Sequence, residues 1–375
     1  MTSMTGQNKT VSGTSGSDLF REQFFDRFLN SPWPLLKPVG AFWGWLMALR
    51  RQAYGTGLLT STLVEKPVLS VGNLTLGGNS KTPMCIFLAR ELAKKGFTAA
   101  ILSRGYGRKA VKAHPEPLFV SRGQGPLLSV QESGDEPFLM AQKTQAMVVL
   151  AKKRVLAARL AIDSGADVLV LDDGFQHLSL KRDLDILMLQ ANQDFSKDFV
   201  IPAGYLRERA ETHRKADIFV VIGQELNNYI SKLASGRPVF LAKMLPSRFV
   251  RLNDGQTIET KELRDKRLAA FCGLARPSSF FKSISEMKLT IQAHLCLEDH
   301  VSYQRGVLSR LKRFKELNRA DFLLTSAKDA VKLPPSLPLP IITLESDLIL
   351  DRPEEFISET LSRLKQLSSK ANYDD

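Results

Sequence analysis

The chain has 375 residues, 43% of them apolar and 24% charged, enough for two globular domains and too apolar for a disordered chain. Its net charge of +13 favours anionic partners such as a nucleotide, a phosphorylated substrate or a phospholipid surface; with no DNA- or RNA-binding motif and no aromatic–basic alternation, nucleic acid is not an expected partner. Three cysteines without paired spacing, Cys85, Cys272 and Cys296, exclude a disulfide framework and a cysteine zinc site, and are expected of a reducing compartment.

In chain order, residues 1–17 are polar and rich in Ser, Thr and Gly; they read as a disordered tail with no signal peptide. Residues 18–52 are aromatic: Phe20, Phe24, Phe25, Phe28 and Leu29 recur at helical spacing, followed by Trp33, Phe42, Trp43, Trp45 and Leu46, then Arg50 and Arg51. This pattern fits an amphipathic helix at a membrane interface, and equally a helix packed on a core. The longest apolar stretch, 39–49, is too short to span a bilayer.

From residue 53 to 222, apolar runs of strand length alternate with helical patterns. Strands are expected at 67–72, 98–103, 146–150, 167–171, 184–189 and 217–222, and helices at 82–95, 135–142 and 152–164. Such alternation implies a parallel sheet with helices on both faces, and ligands beyond the carboxyl ends of its strands. The pattern restarts at 223–375 as a smaller α/β domain, with strands at 238–242, 268–273, 322–325 and 340–344 and helices at 278–287, 303–317 and 353–367.

The first strand runs into Thr75-Leu76-Gly77-Gly78-Asn79-Ser80-Lys81-Thr82 and then a helix. Strand, Gly-rich turn, Lys-Thr and helix make a phosphate-binding loop, in which backbone N–H groups cradle phosphate, the Lys reaches the terminal phosphates and the Thr hydroxyl holds Mg²⁺. The match departs from G-x-x-x-x-G-K-[ST]: Thr75 takes the first Gly position and Ser80 the second. Taken by itself the segment serves equally as an ordinary tight turn.

Four apolar residues ending in Asp172-Asp173, then Gly174-Phe175-Gln176-His177, resemble a metal-binding strand end, and the upstream Lys-Thr favours that reading over a plain turn. Ser103-Arg104-Gly105 can grip phosphate or form a basic surface turn. Asp135-Glu136 can cap a helix, or in a phosphotransferase supply a general base. Asp299-His300 can form an acid/base pair, though a lone exposed His is commoner. Residues 325–332 fit a solvated helix start or a cleft-facing Lys-Asp pair.

Together these segments resemble the tetraacyldisaccharide 4'-kinase family of lipid A biosynthesis. The resemblance rests on V-G-N-x-T-x-G-G-x-x-K-T-P at 71–83, S-R-G-Y-G-R at 103–108, G-D-E-P at 134–137, L-D-D-G-F-Q-H at 171–177 and K-R-D-L-D-I at 181–186. It continues through P-A-G-x-L-R-E at 202–208, D-H at 299–300 and K-D-A-V-K at 328–332. It implies a P-loop fold with a smaller C-terminal domain, and an ATP- and Mg²⁺-dependent kinase acting on the 4'-hydroxyl of a tetraacylated glucosamine disaccharide 1-phosphate. The lipid would bind between the domains. The enzyme would work as a monomer at the cytoplasmic face of the inner membrane, docked on anionic lipid by residues 18–52.

Carried over by motif, residues 75–82 would bind the nucleotide, with Lys81 on the β- and γ-phosphates and Thr82 and Asp172 on Mg²⁺. Asp173 would position the nucleophile, Asp135 with His300 would activate the hydroxyl, and Arg104, Glu136, Gln176 and His177 would line the acceptor site. The chain departs from the family at Ser80, Tyr205, 274–277, Val301 and Ala327. Ser80 bears on nucleotide affinity, and the last three bear on the lipid pocket. Two other classes fit a P-loop as well: a nucleotide switch with a partner-binding domain, and a soluble small-metabolite kinase.

Overall fold

Along the first strand, β1 (Val68–Gly72), side chains alternate between two buried faces: Leu69 and Val71 enter one core cluster and Val68 another. Burial on both sides is the mark of a parallel strand covered by helices. The computed structural model describes residues 36–77, 80–105, 108, 116–274, 277–299, 301–334 and 336–371. These fall into two units, the larger within Leu29–Leu245 and Ser346–Asp375, the smaller within Pro246–Glu345. The expected boundary at 222–223 is thus displaced to 245–246, and the chain returns to the larger unit after Glu345. The C-terminal helix explains the return, because its Phe356 ring packs edge-on against Phe240, centroids 5.2 Å apart.

In the larger unit, β2 (Ala99–Ser103), β3 (Leu118–Arg122), β4 (Met147–Leu150), β5 (Val168–Asp172), β6 (Leu184–Gln190), β7 (Ile218–Ile222) and the first half of β8 (Val239–Arg251) join β1. Their order is β8-β7-β6-β1-β5-β2-β4-β3. Every pair is parallel except the edge pair β3–β4. The edge strand β3 is absent from the sequence expectation. The strand expected at 238–242 carries Pro246 within it and continues to Arg251, against the usual confinement of proline.

Helices α1 (Lys37–Gly55), α2 (Lys81–Lys94), α3 (Asp135–Lys143) and α4 (Arg154–Asp163) belong to this unit. Met84, Leu88 and Leu92 of α2 and Met140 of α3 cover one face of the sheet, and Ala157, Ala158 and Ala161 of α4 cover the other.

Helix α1 is packed in an unusual sense. Its buried residues are Gly40 and Gly44. A Cβ on Gly40 would stand 2.5 Å from the Val200 carbonyl oxygen, and one on Gly44 would meet Val200 Cγ2 at 3.1 Å. Phe42 (61% exposed), Trp45 (51%) and Leu49 (45%) face outward. Residues 18–35 of the expected interfacial segment lie outside the described residues.

In the smaller unit, β10 (Leu268–Cys272), β11 (Ile291–Cys296) and β12 (Phe322–Ser326) are parallel, and β12 pairs with the start of β13 (Ile341–Leu350). The two-residue β9 (Thr257–Ile258) turns back on β8. Helix α5 (Pro277–Glu286) buries Phe280 and Ile284 in one cluster, and α6 (Arg305–Leu317) buries Leu311 in another. Among the described residues, no helix is long and apolar enough to cross a membrane.

Candidate active site

The candidate residues of the larger unit gather where β1, β5 and β2 end side by side. Gly72 allows the approach: a Cβ there would stand 2.5 Å from Phe175 Cβ. After β1, Leu74 and Leu76 pair with the 205–207 segment, through Arg207 N–H to Leu74 O and Leu76 N–H to Tyr205 O, both 2.8 Å. Thr75 is buried and bridges Leu206. The Leu76 amide, expected in the phosphate cradle, is therefore spoken for. The turn itself begins at Gly77, with φ +97°. Gly78 and Asn79 lie outside the described residues.

Ser80 heads α2 at φ 56° and ψ 27°, the left-handed region that costs a side chain about 1–2 kcal/mol. The physical reason for a glycine at this motif position is thus visible in its backbone. Asp173 is left-handed too, at φ 51°. Strained residues of this kind concentrate at functional sites.

Lys81 leaves the first turn of α2 and places Nζ 3.1 Å from Asn73 Oδ1 and 3.4 Å from Asp173 Oδ1. Arg207 Nη1 donates to both Asp173 oxygens, at 2.9 and 2.7 Å. Burial alone would raise the Asp173 pKa, but Lys81 and Arg207 outweigh it and hold it below the ordinary value. Asp172 behaves oppositely. It is buried, and burial followed by the charges of Glu136 and Asp173 pushes its pKa up to about 6, against the pull of Ser103 and Lys81. Ser103 Oγ donates to Asp172 Oδ2 at 2.8 Å. The Cys85 thiol, 3.9 Å from Asp172 Oδ1, is raised by burial and then by that carboxylate. Two adjacent carboxylates in unlike environments have divided tendencies: one stays ionised, the other readily takes a proton.

Gln176 Nε2 donates to Asn73 O at 3.0 Å, and its Oε1 accepts from Arg207 at 3.4 Å. His177 lies with its Nε2 3.0 Å from Ser179 Oγ. Burial first, then Arg154, Arg182, Arg50 and Arg104, depress its pKa to about 4, so the ring is neutral above pH 5. Arg104 is exposed just past β2, while Asp135 is buried and Glu136 half-buried at the start of α3. Thr82, next to Lys81, is half-buried. His300 lies outside the described residues, and its neighbour Asp299 belongs to the smaller unit, where Lys328 Nζ stands 3.7 Å away.

Several participants went unassigned in the sequence reading. Asn73 and Arg207 stand inside quoted motifs without a role. Arg51 of α1 donates to Glu208 Oε2 at 2.8 Å and to the Phe175 carbonyl at 3.0 Å, tying that helix to the turn after β5. Only the motif P-A-G-x-L-R-E signalled Arg207 and Glu208.

Among the described residues no group of three or more His, Cys, Asp or Glu side chains could hold a metal unaided. The set suits Mg²⁺, which takes one or two protein oxygens and completes its shell with phosphate and water. The mutual repulsion among Glu136, Asp172 and Asp173 is what a divalent cation would relieve. Asp172 and the Thr82 hydroxyl could be its protein ligands.

A Lys-Thr turn between β1 and a helix, facing an Asp-Asp strand end on the neighbouring strand, defines a P-loop nucleotide-binding protein. The family profile described as tetraacyldisaccharide-1-P 4'-kinase matches residues 32–365, and the chain belongs to that family. It is 36% identical over 315 residues to the tetraacyldisaccharide 4'-kinase of Pelobacter propionicus, covering 84% of this chain and 86% of the relative. It is 37% identical over 301 residues to that of Geobacter sulfurreducens, covering 78% and 82%. The crystal structure of the "apo" form of LpxK from Aquifex aeolicus in complex with ATP is similar with a TM-score of 0.71 and 29% identity, over 88% of this chain and 98% of that one.

Proposed function

We propose that this chain transfers the γ-phosphate of ATP to the 4'-hydroxyl of a tetraacylated glucosamine disaccharide 1-phosphate, a lipid A precursor. Family membership carries the reaction, and the Lys81–Asp173–Arg207 arrangement beside the turn is the observation that supports this site for it. Lys81 moves from Asn73 and Asp173 onto the terminal phosphates as the nucleotide binds. Asp172 and Thr82 would hold Mg²⁺, which when bound would supply neutralisation of the charge on the transferred group. Asp173, kept ionised by Arg207, orients the groups around the γ-phosphate. Gln176, Glu136, Arg104 and the neutral His177 line the acceptor side.

The hydroxyl proton needs an acceptor. Asp173 is a poor one, because two cations hold its pKa down. Asp172 would be taken up as a metal ligand. This leaves Asp135, buried at the start of α3, with His300 as its partner in the acid/base pair. The outward aromatic face of α1 supports docking at the cytoplasmic face of the inner membrane, where the net positive charge favours anionic lipid. The test is transfer of radiolabelled γ-phosphate to the tetraacyldisaccharide 1-phosphate in detergent micelles, with and without Mg²⁺. Mg²⁺-dependent labelling of the lipid is expected. ATP hydrolysis without labelled lipid would return the chain to the nucleotide-switch class, and labelling of a water-soluble metabolite in preference to lipid would make it a soluble kinase.

A further inference from the structure

Strands β10 and β11 end on opposed cysteines. In their parallel register Phe271 stands beside Leu295, and Cys272 beside Cys296. Phe271 and Leu295 belong to the cluster around Leu311, whereas Cys272 and Ala270 belong to the cluster of Phe280 and Ile284. Side chains alternate across a strand, so Cys272 and Cys296 leave the sheet on one face, the face covered by α5. Both are thiols in the structure, Cys272 buried and Cys296 half-buried. Because β11 stands at the sheet edge, Cys296 is the member of the pair that a small solute reaches first.

Neighbouring strands lie about 4.8 Å apart, inside the range of about 4.4–6.8 Å that a disulfide spans between Cα atoms. Its Cβ atoms prefer a separation of about 3.8 Å, so closure must draw the two positions together by about 1 Å. Each cysteine is the last residue of its strand, where the turns that follow can carry such a movement. A bond closed under strain is readily reduced again, and in a reducing compartment disulfides of this kind are transient. The two turns are tightly joined. Leu297 N–H donates to Cys272 O at 2.8 Å, a Cβ on Gly273 would stand 2.8 Å from Glu298 O, and the Gly273 amide donates to the buried Asp329 at 3.0 Å. Asp299 follows directly.

We propose that Cys272 and Cys296 form a reversible oxidation site, whose disulfide shifts the turn carrying Asp299 and slows the enzyme. A peroxide is the oxidant. The Cys296 thiolate attacks one peroxide oxygen and displaces hydroxide, giving a sulfenic acid; the Cys272 thiolate then displaces hydroxide from that sulfur. The two thiols give up two electrons as the sulfur–sulfur bond forms, the peroxide bond breaks, and the two thiol protons turn both hydroxides into water. The chemistry of the pair needs no assumption about the acceptor, whereas its effect on transfer rests on the acid/base reading proposed above. Cys85 supplies an internal contrast: burial and then Asp172 hold its thiol protonated, the form that does not react.

The full chain and its Cys272→Ser and Cys296→Ser variants should be treated with hydrogen peroxide, with and without later dithiothreitol, and read by intact mass, thiol titration, peptide mapping and phosphate transfer. Wild type is expected to lose two hydrogens in mass, to fall from three titratable thiols to one, to yield a 272–296 linked peptide, and to transfer at least fivefold more slowly. Dithiothreitol should restore all four readings. Neither variant should form the link or slow by as much, and Cys296→Ser, at the half-buried position, keeps the test open should Cys272→Ser fold poorly. Unlinked sulfinic acid at either position, or a link to Cys85, would overturn the site. A 272–296 link with unchanged transfer would overturn its coupling to the reaction. Absence of transfer by the untreated protein counts against the kinase reading, while mass and thiol titration still decide the site.

Discussion

Arg207 grips both carboxylate oxygens of Asp173, and Lys81 stands 3.4 Å from one of them. The lysine therefore has two masters in the free protein, and the arginine decides how firmly the carboxylate can hold it. A charge-assisted hydrogen bond of this kind is worth about 1.5–3 kcal/mol. Arg207→Met is expected to lower kcat about ten- to a hundredfold with less than a threefold change in KM for ATP, measured by steady-state kinetics. Unchanged kcat would mean that Asp173 needs no clamp.

The raised Asp172 pKa links stability to pH. Its folded value of about 6 lies above the reference value of 3.8, so between these values the native state binds more protons than the unfolded one, and stability falls as pH rises through that window. The metal-free protein is expected to melt lower at pH 7.5 than at pH 5.5 on account of this group. Asp172→Asn should flatten that difference while abolishing transfer. Melting curves at the two pH values, without Mg²⁺ and nucleotide, check the sign.

Ser80 lends itself to a single substitution. Ser80→Gly relieves a left-handed backbone worth about 1–2 kcal/mol and adds back about 0.5–1 kcal/mol of chain entropy. The net expectation is a Tm higher by about 1–3 °C, with KM for ATP equal or lower. A fall in Tm would show that the serine hydroxyl makes a compensating bond.

For the proton acceptor, the acid limb of the kcat/KM profile should shift on His300→Ala and disappear into low, flat activity on Asp135→Asn, as for a coupled pair. A limb unmoved by His300→Ala would place the base elsewhere. His177 does not supply that limb, because its pKa of about 4 keeps it neutral over the working range.

Gly40 and Gly44 predict a graded pair. A Cβ on Gly40 would meet backbone at 2.5 Å, and one on Gly44 would meet a side-chain methyl at 3.1 Å. Gly40→Ala should destabilise by about 1–3 kcal/mol and Gly44→Ala by less, read as Tm and as proteolysis within α1.

The central strands and α2, α3 and α4 were legible because their apolar runs and helical periods are long and their turns rich in glycine and acids. The edge strands β3 and β11 were not. Each is short or half-exposed, so neither a continuous apolar run nor strict alternation marks it. In the site, Lys81, Asp172 and Asp173 announce themselves by residue type after a strand. Asn73 and Arg207 do not, since an amide in a turn and an arginine near a helix are ordinary. Their importance lies in which partner the fold brings to them: Arg207 meets Asp173 from 34 residues away, and the Asn73 carbonyl accepts from Gln176 at 103 residues' remove. Helix α1 shows the same limit: its aromatic pattern fitted either a core or an interface, and only the burial of its glycines separated the two faces.

That inverted packing divides the labour of α1 between two independent surfaces. Attachment to the protein rests on glycine contacts and the Arg51–Glu208 pair, while Phe42, Trp45 and Leu49 contribute nothing to the interior. The outward residues are therefore free to be rewritten as polar ones without disturbing the loop or the strand ends. Such a variant would present a polar outer face on α1 while keeping the contacts that hold the helix to the strand ends.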